Sequence, residues 1–177
     1  MKKLSPVQQK FILHWGEMGT RWGINRTVAQ IHALLFLSPQ PLAAEQIADT
    51  LDVARSNVST SLKELQGWGI VKRVHVMGDK RDHFESMKDV WEMFRVVVDE
   101  RKKREMDPTM RLLSECIADA EQDTETDEYT ENQLRKLHEF FATAAAWYAQ
   151  VREWPMAAVM RFVKLGSRAL KVFGLGA

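Results

Sequence analysis

Cysteine is nearly absent from this chain: Cys116 is the only one in 177 residues. No intrachain disulfide can form, and a cysteine-rich metal site has no ligands. Near Leu112 and Leu113 in a helical pattern, Cys116 reads as a small packed hydrophobe rather than a redox sensor. No apolar run is long enough to cross a bilayer, and no signal-peptide pattern is present. A cytoplasmic protein with no membrane partner is therefore expected. The catalytic constellations are missing too. His14, His32, His75, His83 and His138 are scattered without metal-ligand spacing, and there is no phosphate-binding glycine loop or nucleophile motif. No enzyme, metal or cofactor is expected. Excess charge is also lacking, at +1 overall, which would argue weakly for a polyanionic partner if the charge were spread evenly. It is not: residues 1–88 hold twelve Lys and Arg against eight Asp and Glu, whereas residues 119–131 hold seven acids and no Lys or Arg. With 45% hydrophobic residues, the chain has enough apolar material for a substantial core.

The most informative segment is residues 42–84, LAAEQIADTLDVARSNVSTSLKELQGWGIVKRVHVMGDKRDHF. Ala44, Ile47, Ala48 and Leu51 stripe one short helix, and Val58, Leu62 and Leu65 recur at i, i+4 and i+7 on the next. With that stripe in a shared core, the second helix presents Arg55, Ser56, Asn57, Ser59, Thr60 and Lys63 outward. Short hydrogen-bonding groups among long cations suit base edges and phosphates. Gly67 and Gly69 around Trp68 close the helix. A strand over residues 70–76, carrying Lys72, leads to a tip at Met77, Gly78 and Asp79, and Lys80 to Phe84 return as a second strand. Lys80 and Arg81 are placed to grip phosphates or enter a minor groove. The carboxylates Asp79 and Asp82 flank these cations, and charge pairing explains them better than acid–base chemistry.

The frame around this unit reads as helical. Ser5 and Pro6 start a helix with Val7, Phe11, Ile12, Trp15 and Met18 on its apolar side. A second helix runs from Thr27 to Leu37. A long helix is expected from Lys88 to about Met106, ending in the run Arg101, Lys102, Lys103 and Arg104, which reads as a solvated surface. Pro108 is placed to begin a new helix. Beyond an acidic linker, Leu134 to Tyr148 restore helical spacing. A last helix sets Val159, Phe162, Val163, Gly166, Ala169, Leu170 and Phe173 opposite Arg161, Lys164, Arg168 and Lys171. These apolar faces call for burial against a second subunit. The fold expected is mainly α with a small β-hairpin wing: a winged helix-turn-helix with flanking helices forming a dimerisation domain. Residues 1–25 join the dimerisation region, 26–88 form the DNA-binding domain, and 89–177 form a helical dimerisation and effector-binding region.

The wing and its exit, GDKRDHFESMKDVWEMFRVVVDERKKREMDP at residues 78–108, resemble the GbsR-type branch of the MarR superfamily of transcriptional regulators. GEMGTRWGINR at residues 16–26 and the helix-turn-helix itself add to the likeness. The resemblance implies a homodimer on a double-stranded operator of twofold symmetry, controlling transcription, with repression the expected sign. It implies that Arg81 meets the minor groove and that Asp79 supports the wing. It also raises a small-molecule switch such as a quaternary ammonium compound, for which aromatic faces are needed. Trp15, Trp22, Trp91, Trp147 and Tyr148 are the candidates, although core packing explains their spacing equally well. The competing function is a winged-helix protein-interaction module that reads no DNA.

Overall fold

The computed structural model describes residues 4–165, which fall into two compact units that divide between Val96 and Val97. The first unit opens with α1 (Pro6–Arg21) and α2 (Arg26–Leu37). Ser5 begins α1 with a reciprocal cap: its Oγ accepts from the Gln8 N–H at 3.2 Å, and Gln8 Oε1 accepts from the Ser5 N–H at 2.9 Å. Asn25 caps α2 by accepting from the Thr27 N–H at 2.8 Å. The two helices meet at Gly19, where a Cβ would stand 2.5 Å from the Ala29 Cβ, so only glycine permits this approach. Val7, read as part of the apolar side of α1, is instead exposed, because the stripe that reaches the core begins a turn later at Phe11 and Ile12.

Strand β1 (Leu42–Ala43) leads into α3 (Ala44–Leu51), and a short turn leads on to α4 (Arg55–Gly67). Asp52 makes that turn with φ of 53°, the left-handed region that Asp tolerates better than most residues. The core then fills as the spacing predicts. Ile47, Val58, Leu62 and Leu65 join Ile31 and Leu35 of α2, each at most 2% exposed. Burying such side chains contributes about 1.5–3 kcal/mol each.

Strands β2 (Val71–Val76) and β3 (Asp79–Ser86) form the hairpin. The sheet has three strands rather than two, in the order β1-β3-β2 and antiparallel throughout, with Leu42 opposite Phe84 and Ala43 opposite His83. Asp79 opens β3 instead of lying in the turn, since it pairs with Val76 across the tip. The register then slips: Val74 pairs with His83, so His75 alone stands opposite Lys80, Arg81 and Asp82. This irregularity pushes the cationic stretch out of the regular ladder.

Lys88 was expected to start the next helix, but its ammonium donates to the carbonyls of Leu35, at 2.8 Å, Phe36, at 3.0 Å, and Ser38, at 2.8 Å. It thus caps the carboxyl end of α2, as a cation there should. Helix α5 (Val90–Arg101) begins two residues later.

The second unit continues α5 through a π-helical turn (Lys102–Met106) into α6 (Asp107–Ala120), followed by α7 (Glu128–Arg152) and α8 (Met156–Leu165). Pro108 stands in the first turn of α6, as read from the sequence, but no break separates that helix from α5. The wide turn, in which the Asp107 N–H reaches the Lys102 carbonyl, takes up the ring and the missing donor so that the helical course continues. Asp127 caps α7, accepting from the Thr130 N–H at 2.8 Å. The run at 101–104 is largely paired, Lys103 with Glu100 at 2.7 Å, Lys102 with Asp107 at 2.5 Å and Arg101 with Glu105 at 3.4 Å. Gly166, Arg168, Ala169, Leu170, Lys171 and Phe173 of the expected last helix lie outside the described residues.

Candidate nucleic-acid interface

Burial of Val58, Leu62 and Leu65 rotates α4 so that Arg55, Ser56, Asn57, Ser59, Thr60 and Lys63 are all exposed. Gln66, one turn beyond Lys63 and absent from the residues singled out in the sequence, continues the same face. Beside it lies the wing, separated by an open groove of about 420 Å³. Lys63 and Gln66 of α4 line one side, Arg73, Arg81 and Asp82 the other, and Leu62 and Phe84 contribute apolar surface. The groove therefore joins the outward face of α4 to the cations of the wing.

Arg81 is held by Asp79 in a two-pronged ion pair. Its Nε lies 2.9 Å from Oδ1 and its Nη2 2.5 Å from Oδ2, while its backbone N–H also donates to Oδ1 at 3.0 Å. These bonds hold the Asp79 carboxyl well below the usual carboxylate range and push the Arg81 guanidinium further up. Lys72 pairs with Glu85 at 2.9 Å, Arg55 with Glu45 at 3.6 Å and Arg73 with Asp82 at 3.2 Å. Lys63 and Lys80 make no ion pair among the described residues. Arg73 was missed in the sequence because alternation on a strand says which face a residue takes, not that Asp82 stands across the hairpin from it.

The aromatic candidates divide between the units. In the first, Trp15 stacks on Phe11 at 5.4 Å and meets Trp22 edge-on at 5.7 Å, while Trp91 is exposed. In the second, Trp147 is exposed and the Tyr148 hydroxyl donates to Asp99 at 2.8 Å. His32 continues the first cluster, 6.5 Å from Trp15. Its Nε2 is buried without a hydrogen-bond partner among the described residues, and burial, with Lys88 nearby, lowers its pKa from 6.5 to about 4. Among the described residues no group of three or more His, Cys, Asp or Glu is arranged to hold a metal ion, and no helix is long and apolar enough to cross a membrane.

Two short helices with a shared core, the second exposed beside a bulged hairpin, define a winged helix-turn-helix protein. Residues 22–82 match the family model described as MarR family. The chain is 22% identical over 130 residues to the HTH-type transcriptional repressor GbsR of Bacillus subtilis (strain 168), covering 72% of each. In fold it is similar to a solved structure described as a transcriptional regulator, with a TM-score of 0.65 and 19% identity, over 83% of this chain and 96% of the other.

Proposed function

We propose that the protein is a sequence-specific regulator of transcription, not an enzyme, that binds double-stranded DNA as a homodimer and represses by covering a palindromic operator. The observation that carries this reading is the exposed row Arg55, Ser56, Asn57, Ser59, Thr60 and Lys63 beside a wing bearing Lys72, Lys80 and Arg81. A helix of this kind enters a major groove with its amino-terminal residues on base edges, and a wing reaches the neighbouring minor groove or its phosphates. The match of residues 22–82 to the MarR family model and the likeness to a repressor support the regulatory role.

Support for the homodimer comes from unburied apolar surface. Helices α5 and α7 bury no residue within the chain, while Trp91, Phe94, Leu137, Phe140 and Trp147 are exposed. Exposure on that scale marks an association surface. Two heads on a twofold axis read a palindrome. A quaternary ammonium effector is the ligand class assigned to the aromatic candidates, with Trp15 and Trp22 supplying adjacent faces. Binding it would release DNA by changing the separation of the heads. Titration calorimetry with choline should then show heat and a fall in DNA affinity; neither occurring would reject this ligand class.

The deciding experiment retains fragments of a genomic DNA pool on the purified protein, with Arg81→Ala in parallel. Retention of a palindromic site that the variant loses is the expected result. No affinity for any DNA at low salt, in a folded dimer, would overturn the reading in favour of a protein-docking winged helix.

A further inference from the structure

His83 lies in β3, the middle strand of the sheet, between Ala43 of β1 and Val74 of β2. It is only 5% exposed, although the residues on its amino-terminal side, Lys80 to Asp82, are all exposed. Its ring engages the wing at two points. Nδ1 lies 2.9 Å from the Arg81 carbonyl oxygen, and Nε2 lies 3.4 Å from Asp79 Oδ2. A carbonyl only accepts, so Nδ1 carries the proton of the first contact. Asp79 in turn grips the Arg81 guanidinium through both carboxylate oxygens. The backbone of Arg81 is therefore restrained at its carbonyl by one buried ring, while Asp79, whose Oδ2 the same ring approaches, holds the guanidinium.

The restraint falls where the sheet supplies least of its own. Between the Val74–His83 and Val76–Asp79 pairs the ladder is irregular, so Arg81 lies outside the regular strand pairing. An exposed arginine on such a stretch would otherwise sample many rotamers, and ordering it on binding costs side-chain entropy.

We infer that His83 is the positioning residue of the wing, fixing Arg81 in the geometry in which it meets DNA. This rests on the DNA-binding reading and adds to it a residue that touches no DNA itself. The inference separates hydrogen bonding from packing. His83→Phe keeps a ring of similar bulk and loses the donor to the Arg81 carbonyl. His83→Asn places an amide donor where Nδ1 stands and restores the grip on the carbonyl. His83→Gln places its donor nearer the position of Nε2 and does not.

The experiment measures affinity for the retained operator duplex, by fluorescence anisotropy, for wild type, Arg81→Ala, His83→Phe, His83→Asn, His83→Gln and the double variant His83→Phe with Arg81→Ala. Thermal melting is followed on every sample. Arg81→Ala should weaken binding by about tenfold. His83→Phe should lose most of the same factor, His83→Asn should recover most of it and His83→Gln little. The double variant should bind no more weakly than Arg81→Ala alone, because a positioning effect vanishes once the positioned group is gone. Should His83→Phe fail to fold, the Asn and Gln pair decides the question, and equal affinity for the two overturns the inference. Losses that add in the double variant also overturn it. A wild type that binds no duplex is a different failure, that of the DNA-binding reading, and Arg81→Ala binding as wild type removes the wing contact on which His83 would act.

Discussion

On the proposed reading, individual residues of α4 divide the work of recognition by their chemistry. Asn57 offers a donor and an acceptor on one short amide, which discriminates base edges, whereas the Lys63 ammonium, without an ion-pair partner among the described residues, suits a phosphate. Asn57→Ala should therefore change which sequences a selection recovers. Lys63→Ala should weaken all sequences alike and lower the salt slope of binding by about one, as read from affinities over a series of salt concentrations. His32 bears on stability instead. The buried ring is neutral in the folded protein down to about pH 4, but takes up a proton near pH 6.5 once unfolded. Between those values the unfolded state binds the extra proton, so stability falls as the pH is lowered from about 6.5 towards 4, by up to about 3 kcal/mol. Urea unfolding at pH 7 and pH 5 should show the loss, and His32→Leu should flatten it.

At the scale of elements, the α1–α2 contact is decided by one glycine more than by another. An added Cβ at Gly19 meets the Ala29 Cβ, which cannot move without its helix, so Gly19→Ala should cost about 1–3 kcal/mol. At Gly16 the nearest atoms belong to the Gln30 and Arg26 side chains, which can swing away, and the helix gains from alanine. Gly16→Ala should melt within a few degrees of wild type or above it, while Gly19→Ala melts well below. The helices themselves were legible because their apolar positions recur with the helical period, and the outward face of α4 followed from Val58, Leu62 and Leu65. Strand β1 was not: two residues carry no period, and Leu42–Ala43 become a strand only because β3 lies beside them. The Lys88 cap was hidden for a similar reason. Its carbonyl partners lie fifty or more residues away, and nothing local to Lys88 marks them. Pro108 marked the first turn of α6, but the π-helical turn that joins α5 to it without a break has no local signature.

For the molecule as a whole, the second unit is short of interior. Leu113 is its one buried hydrophobic residue among those described, despite a helix of 25 residues in α7. Such a unit reaches ordinary stability by adding a partner's surface to its own. Phe140, 65% exposed and in edge contact with Phe141, stands in that surface if the proposed homodimer forms. Phe140→Asp should shift the sedimentation mass at micromolar concentration from dimer towards monomer and lower the melting temperature. A wild-type monomer under the same conditions would refute the proposed homodimer.

The carboxylates that accompany Arg55, Lys72, Arg73 and Arg81 have a kinetic consequence on the proposed reading. Each such cation must exchange a protein oxygen for a phosphate oxygen, so a random duplex gains little from the encounter and holds the protein only briefly. Where base contacts add to the exchange, the dwell lengthens. Pairing the wing internally thus shortens the time lost on the wrong DNA and leaves more of each search for the right one.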